Sequence, residues 1–308
     1  MTKTVFIDGG AGTTGLEIAD RLAGRPDLAI VTLPDDRRKD ADARHEAIND
    51  ADFVILCLPD DAAREAVSLI DNDRTRVVDA STAHRTVEGW VYGMAELEPE
   101  QGDRIAAARF VSNPGCYPTG FLALVRPLVR AGLIPADWPV SVNAASGYSG
   151  GGKAMIAEYE TAEHRAFRPY GLSLAHKHAP EMQRHSGLAH APIFAPAVVD
   201  TYRGMVVEVP LPLYALPGRP SLQAVSDTLA AAYADSRIVR FSTQDVAAVD
   251  IEENAGTDRM TLRVCGNPAT GLARLIATLD NLGKGAGGAA VQNLNIMAGL
   301  DPTAGLVL

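Results

Sequence analysis

Cysteine is scarce: Cys57, Cys116 and Cys265 are the only three in 308 residues. An odd number at wide spacing does not read as a disulfide framework, and no metal-ligand spacing joins them. No lysine or arginine run occurs and the net charge is −10, which argues against a nucleic-acid partner. A local basic patch for a phosphorylated substrate remains allowed. No apolar stretch reaches membrane-spanning length and no secretory signal opens the chain, so no membrane association and a cytoplasmic location are expected. Internal repeats, low-complexity tracts and long linkers are also missing. What is left is an ordinary globular composition, 47% hydrophobic and 21% charged. A chain of this length buries a substantial core and suggests two domains.

The first hundred residues alternate strand and helix. Strands are expected at Thr4–Ile7, Leu28–Leu33, Asp52–Leu58, Val77–Asp79 and Arg109–Ser112, with a helix at Gly12–Ala23 whose period runs through Leu16, Ala19 and Leu22. Such alternation implies a parallel sheet with helices on its faces. Cys57 sits in a continuous apolar run typical of a buried strand, and Cys265 ends another strand-like segment. Both read as core thiols. After Cys116 the character changes. Val140–Ala144, Ile193–Val199, Gly204–Pro210, Ile238–Phe241 and Arg259–Cys265 read as strands of a mixed or largely antiparallel sheet, and Ser221–Asp235 and Leu272–Leu282 as helices. The tail from Gly285 opens with a glycine turn and becomes helical.

Ser112-Asn113-Pro114-Gly115-Cys116-Tyr117-Pro118-Thr119 is the segment that says most. Proline lacks an N–H and glycine admits positive φ, so the strand must end in a turn. An apolar stretch from Phe121 to Val129 then follows, with Pro118 suited to a first helical turn. Cys116 is therefore expected near a helix N-terminus, where unpaired amides and the helix dipole favour the reactive thiolate.

Upstream, Gly9-Gly10-Ala11-Gly12-Thr13-Thr14-Gly15 follows the first strand and opens the first helix. It satisfies the Gly-x-Gly-x-x-Gly spacing of dinucleotide-binding loops, whose helix N-terminus receives the pyrophosphate. The second strand ends in Asp35, Asp36, Arg37 and Arg38. Acids there suit the ribose of NAD and arginines the extra phosphate of NADP; Arg37 and Arg38 favour NADP(H). An α/β protein is thus expected, with a Rossmann-type dinucleotide-binding domain over residues 1–115 and an α+β catalytic domain over 116–284.

Three later segments could carry chemistry. In His176-Lys177-His178-Ala179-Pro180-Glu181, an extended chain would project both histidines to one side. Either could exchange protons with Cys116 near neutral pH, with Glu181 orienting it. Gly147 to Lys153 matches Gly-x-x-x-x-Gly-Lys, but Ala154 stands where a nucleotide hydrolase needs serine or threonine for magnesium. That excludes an ATPase loop and leaves Ser146, Gly147, Ser149 and Gly150 to hold an acyl phosphate or to line a substrate pocket. Arg203, between two strands, could grip a phosphate or carboxylate in bidentate fashion.

Dinucleotide loop, cysteine turn and His-x-His-x-Pro-Glu in this order resemble one family, the N-acetyl-γ-glutamyl-phosphate reductases in their shorter form. The resemblance runs nearly end to end, with support from Asp79-Ala80-Ser81, Gly147–Gly152, Arg203-Gly204 and Ala290–Asn295. Two segments depart from the longer members: Ala83-His84-Arg85 stands in place of Ala-Asp-Phe-Arg, and Gly93-Met94-Ala95-Glu96 in place of Gly-Leu-Pro-Glu. The resemblance implies a semialdehyde-dehydrogenase-like enzyme whose tail, 285–308, returns to the dinucleotide domain. It implies that Cys116 forms a thioester from an acyl phosphate and that the thioester is reduced with NADPH to a semialdehyde. It also implies cofactor roles for Ser81 and Asn293, a substrate role for Asn113, and a homo-oligomer, dimer or tetramer. The nearest rival is an aspartate-semialdehyde dehydrogenase, whose cysteine is followed by threonine rather than Tyr117-Pro118. More distant rivals are a cysteine hydrolase using Cys116 and histidine alone, and an NADP-bound redox sensor.

Overall fold

The computed structural model describes residues 2–34, 36–161 and 165–308. Asp35, one of the two acids considered for the ribose, and His164 lie outside the described residues. The chain divides into two compact units, Met1–Gly115 with Ala286–Leu306, and Cys116–Gly285 with Val307–Leu308.

The first unit runs β1 (Lys3–Asp8), α1 (Thr13–Leu22), β2 (Leu28–Val31), α2 (Ala41–Asp50), β3 (Phe53–Leu56), α3 (Asp60–Ser68), β4 (Arg76–Asp79), β5 (Val91–Tyr92), α4 (Gln101–Ala107) and β6 (Phe110–Ser112). Its six strands lie in the order β2-β1-β3-β4-β6-β5, and every pairing is parallel.

The second unit begins with α5 (Cys116–Arg130), β7 (Ser141–Gly147), a 3-10 turn (Tyr148–Gly151), α6 (Gly152–Tyr159) and β8 (Phe167–Pro169). There follow α7 (Ala179–Ser186), β9 (Ile193–Val199), β10 (Met205–Pro212), α8 (Leu222–Ala232), β11 (Val239–Phe241), β12 (Met260–Asn267) and β13 (Leu272–Leu279). Its seven strands lie in the order β11-β12-β13-β10-β7-β9-β8, antiparallel except for β11 on β12 and β7 on β9. A π-turn (Gly283–Gly287) then leads into α9 (Gly288–Ala298), which packs on α1 and α4 of the first unit.

The first sheet shows why its strands are apolar throughout. Val5 and Ile7 of β1 join Ile18, Leu22, Ile105, Val291 and Leu294 on one face. Phe6 between them joins Ile48, Ala63 and Ala66 on the other. Side chains alternate across a strand, so a sheet sandwiched between helices needs apolar residues at both parities. The second sheet is covered on one face by α5 against β10 and β13 and by α8 against β12. Along β10 buried residues alternate with half-buried ones, the pattern of a sheet with one open face.

Leu272–Leu282 is not a helix. Its residues Leu272–Leu279 form β13, paired along that whole length with β10 on one side and β12 on the other. Leu275, Leu279 and Leu282 have helical spacing, but Ala273, Leu275, Ala277 and Leu279 are also buried at every second position. With neighbours on both edges, the strand satisfies all its backbone groups, and pairing overrides the local period.

Candidate active site

In the first unit the loop between β1 and α1 is built to bring the backbone close. Gly9 has φ +85°, and a Cβ there would sit 2.4 Å from the carbonyl oxygen of Cys57. Only glycine tolerates that position. The Gly12 amide donates to the Gly9 carbonyl at 3.0 Å, with Gly10 and Ala11 completing the turn. Thr13 and Thr14 open α1, which has Gly12 at its N-cap and no side-chain cap. Its first amides are thus left for an anion.

Around this loop, Asp8 is buried at the end of β1 and takes two hydrogen bonds from Arg44, at 3.1 and 3.0 Å. Burial pushes its carboxyl above the usual range despite that partner. Arg37 and Arg38 both donate backbone N–H to Pro34 at 2.9 Å, and their side chains are exposed beyond β2. This set fits a phosphorylated dinucleotide: a glycine cradle, open helix amides and two exposed cations.

At the end of β4, Ser81 donates its amide and hydroxyl to Asp79, at 2.9 and 2.7 Å. His84 Nδ1 lies 2.6 Å from the same carboxylate, its ring stacked 4.1 Å from Trp90. Asn293 on α9 donates to the carbonyl of Gly93 at 2.8 Å and to Asn113 Oδ1 at 3.0 Å. Asn113 in turn donates to the Ala286 carbonyl. The structure therefore brings Asn113 and Asn293 together as one buried pair. Below Gly9, burial and the Asp79 and Asp8 carboxylates push the Cys57 thiol up to about 12, so it stays protonated.

In the second unit Cys116 is the first residue of α5. A Cβ on Gly285 would fall 2.9 Å from Cys116 Cβ, so bare backbone packs against the cysteine. The Gly285 amide donates to the Asp280 carbonyl at 2.9 Å. The Asp280 carboxylate accepts from the amides of Leu282 and Gly256, at 2.7 and 2.6 Å, and from Arg203 at 3.3 Å. Asn281 donates to Ser149 Oγ at 2.8 Å and accepts from the Gly204 amide at 2.9 Å. The Gly147 amide donates to Gly204, Ser146 Oγ donates to the Gly147 carbonyl, and Gly150 faces Ser146 and Asn281. Ser146, Gly147, Ser149, Gly150 and Arg203 thus converge on the residues just past β13. Asp280 and Asn281 were hidden by the expected helix; the Asp-Asn pair shortly before Gly283 is a turn signal that could have exposed them.

The histidines come together, though not on an extended chain. Residues 176–178 form a turn, and His178 is the N-cap of α7 with φ −84° and ψ −13°. Pro180 in the first helical turn favours that start. The two rings lie 4.8 Å apart at 64°. Tyr117, next to Cys116, packs its ring 6.2 Å from His176 and 5.9 Å from His178. Its hydroxyl donates to the Ala197 carbonyl at 3.1 Å and accepts from Tyr170 at 3.2 Å. Burial pushes Tyr117 well above its usual value and Tyr170 up to about 12, so both stay neutral. Glu181 is buried in the first turn of α7, and its charge favours the imidazolium of His176. Burial outweighs it and holds His176 below the usual histidine value. No periodicity or motif in the sequence marks Tyr170 as part of this cluster.

Two known domains match the chain: the semialdehyde dehydrogenase NAD binding domain over residues 4–105, and the semialdehyde dehydrogenase dimerisation domain over residues 116–281. Fold and site thus define the class, the semialdehyde dehydrogenases. Among solved structures, aspartate semialdehyde dehydrogenase II from Vibrio cholerae superposes with TM-score 0.73 at 15% identity, covering 97% of this chain and 99% of the other. Aspartate semialdehyde dehydrogenase from Francisella tularensis does so with TM-score 0.71 at 12% identity, covering 97% and 100%. These share the fold. The chain is 49% identical to N-acetyl-gamma-glutamyl-phosphate reductase 2 of Nostoc sp., over 98% of each protein. It is 52% identical to N-acetyl-gamma-glutamyl-phosphate reductase of Brucella anthropi, over 97% of this chain and 99% of the relative. It is 51% identical to N-acetyl-gamma-glutamyl-phosphate reductase 2 of Pseudomonas putida, over 97% of each. The chain belongs to the N-acetyl-gamma-glutamyl-phosphate reductase family.

Gly9→Ala is expected to weaken NADPH binding by about tenfold or more, because the new Cβ meets the Cys57 carbonyl at a left-handed φ. A fluorescence titration with NADPH checks this, with the alkylation rate of Cys116 expected to stay at the wild-type value.

Proposed function

We propose that the protein reduces N-acetyl-L-glutamyl 5-phosphate to N-acetyl-L-glutamate 5-semialdehyde and phosphate, using NADPH, as a step of arginine biosynthesis. Identity of about half to the reductases, over nearly the full length of both chains, carries this reading. The placement of Cys116 at the start of α5, beside Gly285, is in keeping with it.

Gly9, Gly10, Ala11, Gly12, Thr13 and Thr14 hold the pyrophosphate, and Arg37 and Arg38 the additional phosphate. Ser81 and Asn293 serve the same cofactor. When bound, NADPH supplies hydride. Cys116 thiolate attacks the acyl carbon, and the carbon–oxygen bond to phosphate breaks with its electron pair leaving on phosphate. The result is a thioester on Cys116. The hydride that NADPH would supply, together with a proton from the catalytic histidine, would convert this thioester to a thiohemiacetal on Cys116, and the histidine would take the proton back as that species collapses. Collapse of that species breaks the carbon–sulfur bond, releases the aldehyde and restores the thiolate. Splitting the reaction at a covalent stage lowers each barrier. One of the two histidines, His176 or His178, manages the protons, oriented by Glu181. Arg203, steadied by Asp280, binds an anionic group of the substrate. Ser146, Gly147, Ser149 and Gly150 cradle the acyl phosphate, and Asn113 completes the substrate set.

The open face of the second sheet carries exposed Phe167, Leu172, Leu174 and Ile193. A cavity of about 480 Å³ on that face is lined by Phe167, Pro169, Tyr170, Leu172, Phe194 and Pro196, among others. An apolar surface of this kind calls for a cover. We propose that a second copy of the chain supplies it, giving a homodimer or tetramer. Among the described residues no helix is long and apolar enough to cross a membrane. Three cysteines kept as thiols suit the cytoplasm.

The reverse reaction tests the activity. Wild type is expected to reduce NADP with N-acetyl-glutamate semialdehyde only when phosphate is present, and Cys116→Ala is expected to be inactive. Comparable turnover in both would overturn the mechanism, and preference for aspartate semialdehyde would replace the substrate. For the assembly, Leu172→Asp is expected to lower the sedimenting mass to that of a smaller species. An unchanged mass would move the interface elsewhere.

A further inference from the structure

His176 Nδ1 accepts a hydrogen bond from the backbone N–H of His178, at 3.1 Å. In a neutral imidazole one nitrogen carries hydrogen and the other accepts, and the hydrogen bond made by one fixes the role of the other. The neutral His176 ring therefore carries its hydrogen on Nε2. Its surroundings hold it in that state. Phe194 of β9 packs 5.0 Å away at 90°, Tyr170 at 5.6 Å, and Tyr117 of α5 at 6.2 Å. The charged and titratable groups around it are Lys177 and His178 of the same turn, Glu181 of α7, and the hydroxyls of Tyr117 and Tyr170. Burial and Lys177 disfavour the imidazolium, and Glu181 opposes them with the smaller effect.

We propose that His176 is a hydrogen-bond donor of the active site, presenting Nε2–H to an oxygen of the acyl substrate, and that proton transfer falls to His178. The inference rests on the reading of Cys116 as acyl-phosphate nucleophile. A ring whose Nδ1 is engaged and whose Nε2 is protonated has no vacant lone pair for a further proton. Accepting one would break the bond from His178 N–H and charge a buried ring beside Lys177. As a donor it needs neither change. It lends a fixed dipole to the oxygen on which charge develops, and no covalent bond to His176 forms or breaks. His178, buried at the N-cap of α7 beside the Tyr117 ring, is the histidine left to carry the proton.

Two measurements decide this. In protein labelled with 15N at its imidazoles, His176 is identified by the signals that vanish in His176→Gln. It is expected to show an unprotonated Nδ1 and a protonated Nε2 between about pH 6 and 8, the range where a histidine ordinarily titrates. A proton on Nδ1, or an imidazolium in that range, would overturn the proposal. In kinetics, glutamine keeps an N–H donor but moves no proton. His176→Gln is expected to hold kcat within about tenfold of wild type, while His178→Gln loses on the order of 10²-fold. His176→Leu, without a donor, is expected to fall well below His176→Gln. Equal loss in the glutamine and leucine variants would overturn the donor role. If wild type fails to reduce the acyl phosphate at all, the functional reading falls, and the nitrogen signals still decide the tautomer.

Discussion

Much of the second unit turns on one contact, the bare backbone of Gly285 against Cys116. A side chain at 285 would begin 2.9 Å from the cysteine Cβ, closer than carbon atoms pack. The contact is held by the hydrogen bond from Gly285 N–H to the Asp280 carbonyl. Asp280 is itself buried, and its carboxylate gathers the amides of Leu282, Gly283 and Gly256 and the Arg203 side chain. A buried carboxylate is tolerable only when so satisfied. The residue that anchors the glycine turn thus also steadies the arginine assigned to the substrate. Asn281 beside it extends the same order to Ser149 and Gly204. Packing at Gly285 and the hydrogen bonds beyond it thus join Cys116, Arg203, Ser149 and the end of β13.

The second determinant of the chemistry is the aromatic wall. Tyr117 and Tyr170 share a chain of hydroxyls ending at the Ala197 carbonyl. Both are held neutral by burial. They contribute shape and low polarity beside the cysteine without competing with it for charge. The same low polarity keeps His176 neutral. Low polarity strengthens any dipole directed at developing charge. Stability and chemistry therefore draw on the same packing.

What could be read in the sequence was local. The glycine loop, the turn that starts α5 and the approach of His176 to His178 each depend on neighbours within a few residues. Proline and glycine mark them directly. The alternation that defines the first sheet was visible for the same reason. Non-local features were not. β13 looked helical because Leu275, Leu279 and Leu282 have that spacing, and only pairing with β10 and β12 makes it a strand. With it went Asp280 and Asn281. Tyr170 joins Tyr117 across 53 residues of chain, and no local pattern records such a pairing. The two histidines would share a side on an extended chain; they meet instead on a turn that leads into α7, with Pro180 in the first turn of that helix.

The proposed reaction requires a covalent acyl group carried by Cys116. Mass spectrometry of the intact protein and its peptides tests that most directly, after brief exposure to N-acetyl-glutamyl phosphate without NADPH and an acid quench. One N-acetylglutamyl addition is expected, on the peptide containing Cys116, removed by hydroxylamine, with Cys57 and Cys265 unmodified. An unmodified Cys116, or an adduct confined to another residue, would contradict it.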